Sequence, residues 1–408
     1  MVLGIDINDS ESRIAYFRQG MEQPESVSQV MGSETFTIPT MLARINGSET
    51  WYFGDEARRM AGRTDVQTVT GLIEKALRSE IVIVFGKEYP ALELLVKYVI
   101  KLLSLTSIME PWQGAERICF SMGELGDKSV NLLKKLAQSL DYPSEQVEYI
   151  SRSESFFEFM MHQKEELWNH DVVLLDCTGE GVIARRLNVN RKTKPAVCKV
   201  VVQSASLAEP LDDEELRKFC ESQVEGRIVT SVYIAGDRIS KETTPGTLKY
   251  LCMKRRVFYA HQIYSKGACQ TAWDRQNGID RRRSYLYLGK DKLKSNVGLR
   301  VSSVNEEVYV PLIDAGINWY DVRVREEIYL GRERELRLLL TPLTGRNEHY
   351  AIMRLSEIPQ RPAHTTRVRI NIVMESEDHL DVTVEDLGFG EIFPASGAVI
   401  NEKISVSV

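Results

Sequence analysis

Two aspartates, Asp6 and Asp176, stand in matching sequence surroundings in distant parts of the chain. The segments "VLGIDINDSESRIAYF" (2–17) and "VVLLDCTGEGVIARRL" (172–187) each place the aspartate fifth, after apolar residues and before a short polar stretch and a second strand pattern. Two such strand-turn-strand units, facing each other, direct backbone N–H groups at a polyphosphate, and their carboxylates hold the waters around Mg²⁺. The alternative is an aspartate that caps its own turn, which is the more common role of either segment taken alone.

The elements that would position these aspartates belong to the first of two regions. Up to about residue 275, short β-rich runs alternate with helical patterns such as "DKSVNLLKKLAQSLDYP", which predicts an α/β domain. Beyond it, segments such as "VGLRVSSVNEEVYVPLI" and "RVRINIVME" alternate with period two, which predicts an all-β domain. We therefore expect domains at 1–275 and 284–408, joined by a polar, basic linker at 276–283.

Composition excludes several classes of protein. The chain has 408 residues and a net charge of −6, so it offers no general attraction to nucleic acid or to anionic lipid. The strand pattern "VLGIDI" follows Met1 directly, so no signal peptide is expected, and "LELLVKYVIKLLSLTSI" (92–108) has the spacing of a packed amphipathic helix. The six cysteines form no CxxC pair, and the six histidines show no metal-ligand spacing. We expect a cytoplasmic protein with reduced, mostly buried thiols that binds neither nucleic acid nor membrane.

Three segments of the first region resemble the heat shock protein 70 family of chaperones, in the family's order. "FTIPTMLARINGSETWYFGDEARRMAG" (36–62) is similar to the stretch in which a Thr-Pro-Ser turn precedes a strand pair and the start of a helix; the matching residues are Pro39, Gly54, Asp55 and Ala57. "SVYIAGDRIS" (231–240) resembles the adenosine-motif strand and turn, and "VFYAHQIYSKGACQTAW" (257–273) resembles the closing helix with its internal Gly-Ala. The resemblance implies an actin-like, ribonuclease-H-like ATPase domain of two lobes, shortened here.

The second region resembles the β-sandwich that binds extended peptides in the same family. "LSEIPQRPAHTTRVRINIVMESEDHLDVTVEDLGFGE" (355–391) has the Leu-x-x-Ile-Pro-x-x-Pro turn followed by two alternating strands. The resemblance implies a peptide-binding sandwich, although the α-helical lid that follows it in the family has no counterpart before the end of this sequence. A protein or peptide partner is therefore expected.

The resemblance also assigns candidates to a nucleotide site. They are Asp6, Asn8, Ser10, Asp176, Thr178, Gly179, Gly181 and Gly236, of which Asp6 and Asp176 would hold Mg²⁺ through water. The chain departs from the family pattern around them, because Asn8-Asp9-Ser10 replaces Gly-Thr-Thr and Glu180 adds a negative charge to the second turn. In the segment that positions the catalytic water, Arg152 and Ser153 replace glutamate and proline. Each lost phosphate contact costs about 1–3 kcal/mol, so we expect ATP/Mg binding to be weak or absent, and no catalytic residue is assigned.

These observations favour a divergent, lidless relative of the chaperones that acts as a protein-binding or scaffolding module without efficient ATPase activity. One alternative is an active, divergent ATP-dependent chaperone whose cleft is completed by the residues above. Another is an actin-like filament or cell-division protein, against which the all-β region argues.

Overall fold

The computed structural model describes residues 1–30, 32–177, 181–207, 210–236, 238–302, 306–343 and 347–406. The chain divides into two compact units, Met1–Gly289 and Lys290–Val408. The division lies beyond the linker expected at 276–283, because the strand Tyr285–Tyr287 pairs in parallel with residues 196–198 and so belongs to the first unit. The basic residues of that expected linker are partly engaged within the unit, since Arg281 pairs with Asp274.

The first unit mixes strands and helices, as predicted. Its strands are β1 (Val2–Ile7), β2 (Glu11–Phe17), β3 (Glu25–Val27), β4 (Ile38–Pro39), β5 (Leu42–Ile45), β6 (Trp51–Phe53), β7 (Val66–Val69), β8 (Ile81–Val84), β9 (Lys87–Pro90), β10 (Arg117–Met122), β11 (Val147–Ser151), β12 (Asp171–Asp176), β13 (Val182–Asn190), β14 (Ala196–Ala205), β15 (Val229–Ala235), β16 (Arg256–Tyr259) and β17 (Tyr285–Tyr287). Its α-helices are α1 (Gly54–Met60), α2 (Leu72–Leu77), α3 (Ala91–Ser104), α4 (Asp127–Ser139), α5 (Arg152–Met161), α6 (Asp213–Val224), α7 (Pro245–Leu251) and α8 (Ile263–Gln276).

Two large sheets of the first unit share one topology. Five strands of the first run β3-β2-β1-β10-β11 and five strands of the second run β14-β13-β12-β15-β16. The sixth strand differs, because β4 pairs with β2 in the first sheet and β17 pairs with β14 in the second. In both, the first three strands in the chain form antiparallel hairpins, and the next two add in parallel beside the first strand. β1 and β12 are therefore equivalent central strands, and their apolar runs are buried as expected for strands covered on both faces.

The segment at 36–62 has the local structure that its sequence predicts. β5 and β6 pair as antiparallel strands, and α1 begins directly after them at Gly54. Gly54 has a φ of +59°, and a Cβ there would lie 2.4 Å from Gln29 Oε1, so both the backbone conformation and the space favour glycine. β5 also pairs with β7, and β8 pairs with β9 in a separate hairpin.

α3 is the packed amphipathic helix predicted at 92–108. It buries a stripe that includes Leu95, Tyr98 and Leu102, and a 3₁₀ turn at Leu105–Ile108 follows it. Within the described ranges no helix combines the length and the apolar character needed to cross a membrane.

α8 lies against the central strand of the first sheet with very little space between the backbones. A Cβ at Gly4 of β1 would lie 2.2 Å from Cys269 N, and a Cβ at Gly267 of α8 would lie 1.9 Å from Ser155 O in α5. Both glycines therefore allow close backbone approach. α8 is buried around most of its circumference, as its place between α5, β1 and β10 requires.

Over its described residues, the second unit contains β-strands and one 3₁₀ turn at Trp319–Asp321. This agrees with the predicted change from mixed helices and strands to strands alone. The strands are β18 (Ser295–Ser302), β19 (Glu307–Ile313), β20 (Arg323–Tyr329), β21 (Glu335–Pro342), β22 (His349–Arg354), β23 (Arg367–Ser376), β24 (His379–Gly388) and β25 (Val399–Ser405). They form two antiparallel sheets of four strands, β19-β18-β21-β22 and β20-β23-β24-β25. β23 and β24 bury every second residue, so one face of their sheet is covered.

Asp386 at the end of β24 is a buried hub that organises the turns around it. Arg361 donates two hydrogen bonds of 2.8 Å to its two carboxylate oxygens. Ser396 donates through both N–H and hydroxyl, and Gly388 donates through its N–H. Burial alone would raise the pKa of Asp386, but the bonds from Arg361, Ser396 and Gly388 outweigh it and hold the pKa well below its usual range.

We expect the second unit to lose stability in acid through Asp386. Because the pKa of Asp386 is lower in the folded state, its stabilisation is fully present above the unfolded-state pKa of about 3.9 and is lost as the pH falls below that value. Asp386→Asn should lower the free energy of unfolding at pH 7 by about 1–3 kcal/mol. The free energy of unfolding of the variant should also fall less steeply than that of the wild type between about pH 5 and 2. Urea unfolding across this pH range, followed for the second unit, measures both effects. An Asp386→Asn protein with the same acid slope as the wild type would contradict this account.

Candidate functional site

Asp6 and Asp176 occupy the same position in the two related sheets. Asp6 pairs with Ser121 in the last pair of the parallel ladder between β1 and β10. Asp176 pairs with Ala235 in the last pair of the parallel ladder between β12 and β15. Both side chains are buried, so each carboxylate needs a charged or hydrogen-bonding partner inside the protein.

The partner of Asp6 is Arg152, the first residue of α5. Arg152 Nε donates to Asp6 Oδ1 and Arg152 Nη2 donates to Asp6 Oδ2, each at 2.8 Å. This bidentate pairing joins residues 146 positions apart in the sequence. Arg13 of β2 adds a second guanidinium, with Nη1 lying 3.6 Å from Asp6 Oδ2. Burial opposes the charge of Arg152, but Asp6 outweighs it and raises the pKa of the guanidinium, so Arg152 stays charged.

Among the described residues, Asp176 contacts Tyr264 of α8 and Arg185 of β13. The Tyr264 hydroxyl donates to Asp176 Oδ2 at 2.7 Å, and Arg185 Nη1 lies 3.3 Å from the same oxygen. Arg185 Nη1 also donates to the Tyr264 hydroxyl at 2.7 Å. Burial, together with the Asp176 carboxylate, raises the pKa of Tyr264 well above its usual value, so its hydroxyl keeps the proton that it donates.

Tyr264 lies between the two arginines and connects both halves of the cluster. The Arg152 guanidinium carbon is 4.8 Å from the centre of the Tyr264 ring, and the Arg185 guanidinium carbon is 5.2 Å from it. Cation–π contacts of this kind contribute about 0.5–2 kcal/mol each, with the larger values in desolvated surroundings. The chain Asp6–Arg152–Tyr264–Arg185–Asp176 is thus continuous and buried, and we call it the arginine cluster.

The arginine cluster gives both carboxylates partners from within the protein. Arg152 uses both oxygens of Asp6, and Asp176 Oδ2 accepts from Tyr264 and lies beside Arg185. A divalent ion entering between the aspartates would meet the guanidinium groups of Arg152, Arg185 and Arg13 within the same low-dielectric interior. The arrangement therefore neutralises both aspartates with groups of the protein itself.

The candidates in the first turn bond within the protein. Asn8 Oδ1 accepts from the N–H and hydroxyl of Ser10 and from the N–H of Glu11, at 2.7–2.8 Å, which is an Asx-type turn. The neighbouring Asp9 carboxylate accepts from the N–H groups of Ile73 and Glu74 at the start of α2. The Asn8 side chain thus stabilises the first turn, and the Asp9 side chain caps the start of α2.

The candidates in the second half are placed as follows. Gly181 has a φ of +74°, and its carbonyl accepts from Arg238 Nη1 at 2.9 Å. Gly236 follows β15 with a φ of +97°, and its N–H donates to His261 Nδ1 at 3.0 Å. Thr178 and Gly179 lie outside the described residues. The glycine N–H that could meet a phosphate at position 236 is therefore engaged by a histidine side chain.

Sequence reasoning identified Arg152 only as a replacement and missed Arg13, Arg185 and Tyr264. A signal for two of them exists, because both repeated segments carry an arginine on the second strand of the hairpin: Arg13 on β2 and Arg185 on β13. Each of these side chains reaches back to the aspartate of its own repeat. Nothing in the local sequence marks Tyr264, which comes from a helix 88 residues after Asp176.

The second unit contains a separate groove, with a volume of about 1070 Å³, beside strand β20. β20 is the end strand of its sheet, so its outer backbone edge does not pair within that sheet. Tyr329, Tyr350 and Phe389 line the groove and remain 52%, 45% and 42% exposed. The Tyr329 and Phe389 rings meet edge-on with centres 6.0 Å apart. The end strand of this sheet therefore lies beside exposed aromatic side chains.

The fold and the cluster define a two-unit protein, in which an α/β unit with a repeated sheet topology precedes a β-only unit. Residues 23–290 match the sequence model of a protein family described as the C-terminal part of a family of unknown function, DUF5716. Residues 292–406 match the sequence model of a domain of unknown function, DUF8552. The first match covers more than half of the chain, so the protein belongs to the DUF5716 family. The two matches meet where the structure divides the chain. No curated protein matches the sequence significantly.

Proposed function

We propose that this protein is a heat shock protein 70-like, protein-binding scaffold in which an internal arginine cluster takes the place of ATP and Mg²⁺. The observation that carries the proposal is the bidentate Arg152–Asp6 pair together with the Tyr264–Arg185–Asp176 group. Two strand-end aspartates in equivalent positions suit a metal–phosphate site, and here both are neutralised from within. The unit keeps its shape without a ligand to balance these charges.

The repeated topology supports an actin-like, ribonuclease-H-like origin of the first unit. Each sheet has two antiparallel hairpins followed by two parallel strands, and the aspartate ends the same ladder in both. In this proposal the first unit retains the fold of an ATPase domain but not efficient ATPase activity. The second unit is a β-sandwich that supplies the binding surface, with an extended segment of a partner protein adding to the edge of β20.

We expect ATP with Mg²⁺ not to bind and not to change the melting temperature of the protein. Binding would require Arg152 and Arg185 to leave buried carboxylates, which costs several kcal/mol before any phosphate contact is made. Isothermal titration with millimolar ATP/Mg should give no binding heat, and the melting temperature should move by less than about 1 °C. A saturable heat with Mg²⁺ that disappears in Asp176→Ala would replace the scaffold proposal with the divergent ATPase. The same titration with EDTA distinguishes phosphate held by the arginines from phosphate held by a metal ion.

The groove beside β20 is tested separately from the arginine cluster. A peptide selected from a display library against the full chain should lose at least about tenfold in affinity with the paired change Tyr329→Ala and Phe389→Ala, because both rings flank the open strand edge. Tyr259→Ala is the matched control, since Tyr259 is also 52% exposed but belongs to the first unit. Equal losses in the groove variant and in the control would remove the groove from the proposal.

A further inference from the structure

A second group of polar side chains lies at the far ends of the helices that carry the arginine cluster. Glu158 lies in the last turn of α5, His162 directly follows the end of α5, and Asp274 is near the end of α8. One ligand atom from each of these three residues lies within 4.8 Å of the others. His162 Nε2 and Asp274 Oδ1 are 3.2 Å apart, near the edge of about 3.3 Å that a tetrahedral ion with bonds of about 2.0–2.1 Å requires.

The hydrogen bonds of His162 determine which atom faces the group. His162 Nδ1 is 2.9 Å from the main-chain oxygen of Glu158. A carbonyl oxygen only accepts, so Nδ1 carries the hydrogen and Nε2 points at the Asp274 carboxylate. Two lone pairs 3.2 Å apart repel each other, so a cation must lie between Nε2 and Oδ1, either a proton or a metal ion. A histidine whose other nitrogen donates to a backbone carbonyl is oriented as metal-ligating histidines are.

A residue outside the group, Arg281, orients the Asp274 carboxylate. Arg281 Nε donates to Asp274 Oδ2 at 2.7 Å, which leaves Oδ1 directed at His162. The side chains of His162 and Asp274 are only 14% and 9% exposed, which reduces competition from water.

We propose that Glu158, His162 and Asp274 bind one divalent transition-metal ion of the Zn²⁺ type, with water as a further ligand. One imidazole nitrogen and two carboxylate oxygens suit Zn²⁺ and Co²⁺ better than Mg²⁺ or Ca²⁺, which prefer oxygen alone. The ion ties α5 to α8, the two helices that present Arg152 and Tyr264 at their other ends. It is a structural ion for this helix pair, and it does not depend on the proposed scaffold function.

The experiment uses the full chain freed of metal with a chelator that is then removed. Co²⁺ should produce the visible absorption bands of a four-coordinate site at one equivalent, and Zn²⁺ titration calorimetry should give a Kd in the micromolar range or below. Excess Zn²⁺ should raise the melting temperature by a few °C through ligand linkage. His162→Ala should weaken Zn²⁺ binding at least about 100-fold, whereas His170→Ala, at an exposed histidine, should not change it.

Two further variants guard against a result that merely reflects misfolding. Glu158→Gln keeps the shape of the side chain and should weaken Zn²⁺ binding at least about tenfold, because it removes an anionic ligand. Arg281→Gln should strengthen binding by about tenfold, because it removes a positive charge beside the ion. Absence of one-equivalent Co²⁺ bands in the wild type, or equal Zn²⁺ affinity in His162→Ala, overturns the proposal and leaves a proton between His162 and Asp274.

Discussion

Replacing Arg152 with alanine is expected to lower the free energy of unfolding of the first unit by about 3–5 kcal/mol. The change leaves the Asp6 carboxylate buried without its bidentate partner, and the loss of one member of a buried ion pair has a cost of this size. It also removes the guanidinium that lies on the Tyr264 ring. Chemical denaturation at neutral pH, with the first unit followed by its own spectroscopic signal, measures the loss.

The matched control is Arg58→Ala, which breaks an ion pair on the surface of the same unit. Arg58 pairs with Asp55 one helical turn away and its side chain is 66% exposed, so the expected loss is below about 1 kcal/mol. Adding Asp6→Asn to Arg152→Ala should restore part of the stability, because the unpaired charge is then gone. If Arg152→Ala behaves like Arg58→Ala, the buried pair does not stabilise the arginine cluster and the scaffold proposal loses its main support.

Gly267→Ala is expected to destabilise the first unit by about 3 kcal/mol or more. A Cβ at this position would lie 1.9 Å from the main-chain oxygen of Ser155, and a backbone atom cannot move aside as the end of a flexible side chain can. Alanine raises helix propensity by about 1 kcal/mol over glycine, so the steric cost must exceed that gain. The variant separates α5 from α8 and therefore disturbs the arginine cluster as well.

Thermal and denaturant unfolding of Gly267→Ala should be compared with Gly123→Ala. No atom lies within 4 Å of a Cβ at Gly123, so that change should stay within about 0.5 kcal/mol of the wild type. A Gly267→Ala protein as stable as the Gly123→Ala control would mean that the two helices can separate without loss, contrary to the packing described here.

Features that depend on short-range patterns could be predicted from the sequence. The strand-aspartate repeat at Asp6 and Asp176 corresponds to β1 and β12, which hold equivalent places in two sheets of the same topology. The amphipathic helix at 92–108 and the start of α1 at Gly54 also follow their predictions. Five of the six cysteines are buried, as expected, and Cys252 is exposed. Hydrophobic periodicity and glycine placement are local, so one sequence contains them.

The boundary between the units was harder to place. Polar and basic residues at 276–283 have the composition of a linker, but Arg281 pairs with Asp274 and the strand at Tyr285–Tyr287 pairs with β14. Composition reports on exposure of a segment, whereas strand pairing is decided by a partner about 90 residues earlier. The first unit therefore ends later in the chain than the residue composition at 276–283 indicates.

The α/β and β-only regions and the repeated aspartates follow from patterns within the sequence, as do the departures of the turns after Asp6 and Asp176 from the heat shock protein 70 pattern. How the aspartates are neutralised depends on the tertiary structure, because Arg152 and Tyr264 reach them across 146 and 88 positions. It likewise brought His162 to Asp274 across 112 positions. Buried charges must find partners in space, and a pairing between distant segments leaves no periodic signal in either segment.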